Sequence, residues 1–301
     1  MEKMNIQWFP GHMTKTKRRI QANLKLVDAV VEIIDARIPI SSRNPDLDKI
    51  IQNKPRIILM NKCDIADKLQ TKRWIDYYQS QNIKAIAVDC KSGRGLNLFV
   101  PTVKEVLAEK IRQWEAKGMK NRTIHLMIVG IPNVGKSSFI NRMAKKDSAR
   151  VEDRPGVTRG NQWFSIGQGL ELLDTPGVLW PKFDDPEVGE KLAFTGAVKD
   201  QITDIELLAC RLLEVMCQYP IQQFIERFKL QDIELADTEA YDLLEIIGKK
   251  RGMLMSGGRV NTERVSVAVL DEYRAGKLGN ITLECVSQGR CPSTPQAFKK
   301  A

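Results

Sequence analysis

The segment Gly130-Ile131-Pro132-Asn133-Val134-Gly135-Lys136-Ser137 follows the apolar run Ile124 to Val129 directly and leads into a helix-like stretch, Lys136 to Ala144. A strand, a GxxxxGKS loop and a helix in that order constrain the fold more than any other feature of the chain. The glycines let backbone N–H groups turn inward around a β-phosphate, with Val134, Gly135 and Ser138 completing the cradle. Lys136 supplies charge to the β- and γ-phosphates, and the Ser137 hydroxyl can ligate Mg²⁺. A chance match in a glycine-rich loop is the competing reading, and the flanking strand and helix argue against it.

Other short runs rich in Val and Ile recur at Ala29 to Ile34, Arg56 to Met60, Ala85 to Val88 and Leu170 to Leu173. They alternate with helix-like stretches at Thr71 to Gln81 and Leu96 to Lys117. Such alternation is the pattern of an α/β fold with a mostly parallel sheet. After Pro181 the strand-like runs stop, and Leu207 to Met216, Tyr241 to Ile247 and Glu263 to Tyr273 repeat apolar residues at helical spacing. The expected organisation is an α/β domain over residues 1–184, a smaller all-helical domain over 185–285, and a tail over 286–301.

Two companions place a nucleotide around the loop. Asp174-Thr175-Pro176-Gly177 closes a buried strand, where Asp174 can hold Mg²⁺ and the Gly177 N–H can meet the γ-phosphate. Asn61-Lys62-Cys63-Asp64 ends another strand, and the Asp64 carboxylate can accept both hydrogen bonds from guanine N1–H and N2, a pairing that adenine lacks. GTP is therefore the expected substrate. Asp89-Cys90-Lys91 stands where a backbone N–H meets the guanine oxygen, although it departs from the commoner Ser-Ala-Lys. Thr158, in the polar loop Pro155-Gly156-Val157-Thr158, is a candidate to close over Mg²⁺ and the γ-phosphate; the other reading is an ordinary loop threonine.

The net charge of +10 is unevenly placed: residues 1–185 carry +12, residues 186–285 carry −5 and the tail +3. A basic half can mark a polyanionic partner or simply a solvated surface. Lys15, Lys17, Arg18 and Arg19 form one cluster, and Lys145, Lys146, Arg150, Arg154 and Arg159 another. Lys249-Lys250-Arg251, with Arg259, is the expected RNA contact of the helical domain. No apolar run approaches the length needed to span a bilayer, and the N-terminus lacks a signal-peptide order, so a cytoplasmic, membrane-free enzyme is expected. Six scattered cysteines without CxxC spacing read as reduced thiols, and two histidines argue against a His-based zinc site.

The guanine motif precedes the phosphate loop, which precedes the Mg²⁺ aspartate. In that order the chain resembles the circularly permuted GTPases of the ribosome-assembly type, the bacterial RbgA (YlqF) family. The likeness runs from Trp8-Phe9-Pro10-Gly11-His12-Met13 through Asp35-Ala36-Arg37-Ile38-Pro39 into the helical region, so it covers nearly the whole chain. It implies a monomeric protein that binds rRNA and ribosomal proteins of the immature large subunit in its GTP form and leaves after hydrolysis. Val178 stands where most small GTPases carry a water-orienting Gln. The resemblance offers His12 for the catalytic role, beside Lys136 and Thr158, against the alternative of an N-terminal anchor. Asn133 is implied as a K⁺ ligand, against the alternative of a turn residue. A GTP-gated placeholder, and a regulator of a protein partner without RNA, remain the other classes of function.

Overall fold

Ala29–Asp35 (β1) is buried along its whole length, which a strand can be only when both faces of its sheet are covered. The computed structural model describes residues 13–119, 121–146, 151–152, 162–180, 183, 185–198, 200, 204–218 and 222–286. Within them β1, Arg56–Asn61 (β2), Lys84–Ala87 (β3), Ile124–Val129 (β4), Val151–Glu152 (β5), Gln162–Ser165 (β6) and Leu170–Asp174 (β7) form one seven-stranded sheet, ordered β3-β2-β1-β4-β7-β6-β5. The first four strands and β7 pair in parallel. β6 and β5 continue the sheet antiparallel. The run Gln-Trp-Phe-Ser of β6 is short and only partly buried, so it lacks the apolar signature that marks the other strands.

Met13–Asn23 (α1), Pro45–Ile51 (α2), Lys68–Ser80 (α3), Phe99–Val106 (α4), Ala108–Ala116 (α5) and Lys136–Lys146 (α6) accompany the sheet. α2 starts with Pro45 behind an Asn44 cap that accepts from the Asp46 N–H, and Asp67 caps α3 through the Gln70 N–H. The single helix expected over Leu96 to Lys117 is instead a 3₁₀ turn, Leu96–Leu98, followed by α4 and α5. Leu107 breaks it by leaving helical geometry (φ −101°, ψ 10°) while its side chain is buried. Tertiary burial there outweighs helix propensity.

From β1 the chain builds outward on one side through β2 and β3, then jumps to β4 on the other side. The strand order therefore reverses between β1 and β4. In open α/β sheets, ligands bind outside the carboxyl ends of the strands at such a switch point. The loops after β1, β2, β3, β4 and β7 all leave from that edge.

The described residues divide into two compact units, residues 13–180 together with Thr282–Val286, and residues 183–281. The second holds Pro186–Phe194 (α7), Ile205–Gln218 (α8), Gln222–Phe228 (α9), Ala240–Lys250 (α10) and Thr262–Arg274 (α11). α8 buries Leu208, Ala209, Leu212, Leu213 and Met216 against α10 and α11, and Gly248 of α10 leaves room for Val260 and Val265. Where the sequence reading ends the helical domain at residue 285, residues 282–286 pack with the sheet instead.

Candidate nucleotide site

The phosphate loop is held in shape by backbone that only glycine adopts without strain. Gly130 has φ +151°, and a Cβ there would lie 2.5 Å from the Ile33 carbonyl oxygen. Gly135 has φ +102°, and a Cβ there would collide with the Asn61 side-chain amide. Asn133 also takes a left-handed conformation, φ 60°, at the exposed part of the loop. Ser137 and Ser138 are exposed in the first turn of α6, where orphan N–H groups favour an anion.

Lys136 is buried, and its ammonium donates to the carbonyl oxygens of Gly130 (3.1 Å) and Ile131 (2.7 Å). Burial lowers its pKa to about 8, against the opposing pull of Asp174. Asp174 ends β7, and burial pushes its carboxyl up while Lys136, the Thr175 N–H and Arg19 act in the other direction. Arg19 therefore contributes its field to Asp174, an effect beyond the RNA contact expected of it. The Gly177 backbone lies against the phosphate loop, since a Cβ on it would stand 2.8 Å from Pro132 N and 2.9 Å from Lys136 Nζ. The Ser137 hydroxyl and the Asp174 carboxylate are hard oxygen donors, the kind Mg²⁺ takes when substrate phosphates supply most of its shell. Among the described residues no group of three or more His, Cys, Asp and Glu could hold a metal by itself.

The lysine's altered acidity has a measurable consequence. Phosphate would restore the ammonium's pKa, so above about pH 8 binding takes up a proton and affinity falls as pH rises. GDP affinity in the absence of metal should weaken about threefold between about pH 7.5 and 8.5 and stay flat below that range. A titration in this window, below the ionisation of guanine N1–H, checks it; an affinity independent of pH overturns the lysine's assigned state.

The loops after β2 and β3, expected to read the base, are joined to the phosphate loop by Asn61. Its amide nitrogen donates to the Val134 carbonyl (2.7 Å) and its oxygen accepts from the Cys90 N–H (3.0 Å). Asn61 thus braces two other loops, one 73 and one 29 residues away in sequence. The Lys91 N–H is bonded to Asp89 Oδ1 (2.8 Å), so the Asp89-Cys90-Lys91 loop is organised by internal bonds, and its Cys90 thiol is pushed by burial up to about 12. Lys62, with φ 62°, pairs its ammonium with Asp35 (2.9 Å). Burial alone would raise the Asp35 carboxyl, but Arg37 and Lys62 hold it well below the usual carboxylate range. Asp64 is half-buried in the turn that follows. The Asp35–Arg37 pair is buried where β1 ends; the sequence marks these residues only through the Asp35-Ala36-Arg37-Ile38-Pro39 run of the resemblance, without a role in the site.

Val178 is 2 % exposed and packs with Ile20, Leu47, Trp163 and Leu173. Its N–H donates to the Gly130 carbonyl (3.2 Å), and its carbonyl accepts from Asn44 Nδ2 (3.1 Å). The residue in the place of a water-orienting Gln is therefore core, and through Ile20 it ties α1 to the segment after Asp174. On α1, Lys17 is paired with Asp46, while Arg18 is exposed. His12 and Thr158, the side chains of Lys15, Lys145 and Lys146, and Arg150, Arg154 and Arg159 lie outside the described residues. In the helical unit, Lys250 pairs with Asp232 (2.5 Å) and Arg251 with Glu272 (3.0 Å), leaving Lys249, paired only at the surface with Glu245, as the most exposed of the three.

Residues 125–251 match the family described as 50S ribosome-binding GTPase. Over 290 residues the chain is 49 % identical to the ribosome biogenesis GTPase A of Priestia megaterium, a match spanning 96 % of this chain and 100 % of that one. The chain belongs to the ribosome biogenesis GTPase A family. Beyond that family, it is 32 % identical to the mitochondrial ribosome-associated GTPase 1 of Bos taurus, over 92 % of this chain and 88 % of that one. A crystal structure of GNP-bound YlqF from T. maritima superposes with a TM-score of 0.65 at 28 % identity, covering 90 % of this chain and 98 % of that one. Family membership makes the chain a GTPase, and the phosphate loop, Asp174 and the loops after β2 and β3 all lie at one sheet edge.

Proposed function

We propose that this GTPase assists late maturation of the large ribosomal subunit in the cytoplasm, acting as a monomer that engages rRNA with GTP bound and leaves after hydrolysis. The observation that carries the reading is the bracing of the base-reading loop on the phosphate loop through Asn61, with Lys136, Gly177 and Asp174 assembled beside it. The ribosomal destination rests on the relatives, which are called ribosome biogenesis GTPase A and mitochondrial ribosome-associated GTPase 1. No described helix is long and apolar enough to cross a membrane.

In this reading Asp64 accepts from the guanine edge, Lys136 turns from the loop carbonyls to the phosphates, and Ser137, Thr158 and Asp174 hold Mg²⁺. When bound, Mg²⁺ neutralises charge on the β- and γ-phosphate oxygens. Asn133 would present its side chain to K⁺, so GTP turnover in K⁺ should exceed turnover in Na⁺. The buried Val178 cannot orient water, which leaves the isolated protein slow and gives His12 the work. α1 follows His12 directly in sequence and packs through Ile20 on Val178, so rRNA phosphates held by Lys15, Lys17, Arg18 and Arg19 would act on a helix already joined to the catalytic edge. Lys249 to Arg251 would add a second contact.

The test is the GTPase rate with and without large ribosomal subunits. Strong stimulation supports the reading; binding without stimulation makes the protein a placeholder, and neither outcome returns it to a protein partner. His12→Ala should keep subunit and nucleotide binding yet lose about 100-fold of the stimulated rate, because general acid–base help is made in the transition state. A stimulated rate equal to wild type would reduce residues 8–13 to an anchor.

A further inference from the structure

Thr282–Val286 follows the helical unit in sequence yet belongs to the sheet-containing unit. Its bonds fall on both flanks of the base-reading motif. The Thr282 hydroxyl accepts from the Asp67 N–H (3.1 Å) and lies 3.3 Å from the Ala36 carbonyl oxygen, to which it donates. Asp67 caps α3, at the far end of the turn that begins with Asn61. The Leu283 N–H donates to the Arg37 carbonyl (2.8 Å). Glu284 is 3 % exposed, and its carboxylate accepts from the Ile40 N–H (2.6 Å), the Ser41 N–H (3.2 Å) and the Ser41 hydroxyl. Its carbonyl accepts from Trp74 Nε1 (2.8 Å), and Val286 packs on the cluster of Ile34, Ala36, Cys63 and Trp74.

The loop that the strap holds is the one that sets Lys62. Arg37 Nε and Nη2 bond Asp35 at 3.0 and 2.8 Å, and Asp35 holds the Lys62 ammonium at 2.9 Å. A continuous path of bonded groups thus runs from Glu284 and Leu283 through the loop of residues 35–42 to Lys62, while Thr282 fixes the other flank at Asp67. A buried carboxylate is costly unless its oxygens are satisfied, and here backbone N–H groups of that loop satisfy them, so the loop and strap stand or fall together.

We propose that Thr282–Val286 is a positioning strap for guanine recognition, with Thr282 and Glu284 holding both flanks of the Asn61–Asp64 motif so that Lys62 and Asp64 meet the base in register. The proposal rests on the assignment of Asn61 to Asp64 as the base reader. Its readout is selectivity, which a purely structural role does not move. In the full-length protein, Glu284→Ala should bind labelled GDP about tenfold more weakly. Its preference for GDP over inosine diphosphate, which lacks the N2 amine, should also shrink. Glu284→Gln keeps an acceptor oxygen but loses the charge that strengthens these bonds, and should fall between the two. Thr282→Val should shift both quantities in the same direction.

Asp64→Asn, measured alongside, separates the two ideas. A wild-type preference for GDP over xanthosine diphosphate in Asp64→Asn removes the base-reading assignment and the strap's purpose with it. If Asp64→Asn exchanges the base while Glu284→Gln and Thr282→Val, folded by circular dichroism, keep the wild-type ratio of GDP to inosine diphosphate affinity, the strap is only structural and the proposal is overturned. Should Glu284→Ala fail to fold, the Gln and Val variants decide by the same ratio.

Discussion

Lys136→Ala should bind GTP about 100-fold more weakly, a loss near 2.7 kcal/mol at about 1.4 kcal/mol per decade, and should show no measurable turnover. The charge-assisted bonds that the ammonium would make to bound phosphates are worth roughly 1.5–3 kcal/mol each, so losing them accounts for the expected ground-state effect. The loss in turnover is larger, because charge grows on the transferring phosphoryl group and the lysine's interaction strengthens with it. The fold should survive. Burial already lowers the lysine's pKa to about 8, so the folded protein gains little from the ammonium, and its removal deletes a charge that the site tolerates for function. Equilibrium binding of labelled GTP and single-turnover hydrolysis, with thermal unfolding in parallel, check the two halves. Normal hydrolysis in the mutant would remove the phosphate-loop reading altogether.

Asp64→Asn should weaken GTP binding by roughly 100-fold or more, since a site built to pair with two donors is left with mismatched groups when one acceptor becomes an amide. The same amide can donate to the xanthine oxygen, so xanthosine triphosphate should become the better ligand. The exchange should leave stability close to wild type, because Asp64 lies in a half-buried turn, while the bracing bonds of that motif belong to Asn61. Competition binding with both nucleotides reads the exchange directly. An unchanged GTP affinity would move base recognition away from this loop.

The features legible in the sequence were those whose physics is local. The GxxxxGKS loop was readable because Gly130 and Gly135 hold left-handed or crowded backbone that other residues resist. The parallel strands were readable because burial on both faces favours runs dominated by Val and Ile, as in β1, whose two buried carboxylates are paired with Arg43 and Arg37. β6 was not, since a short and partly exposed antiparallel strand needs no such run. Basic residues were legible only as charges. In sequence Arg18, Lys250 and Arg251 look alike, yet Arg18 is exposed while the other two meet Asp232 and Glu272.

By itself, then, the sequence determined that a phosphate loop exists, that a candidate guanine-reading loop precedes it, and that a mostly parallel sheet carries both. Glycine spacing and hydrophobic period encode such features within a few residues. Only the tertiary structure decided that Val178 packs in a core cluster with Ile20 and Trp163, that Asn61 braces the phosphate loop through Val134, and that Glu284 reaches back 243 residues to Ser41. Each of these depends on which polar group a side chain meets across the fold. A hydrogen bond has no period along the chain, so the partners of a buried amide or carboxylate become visible only when the strands bring them within about 3 Å of one another.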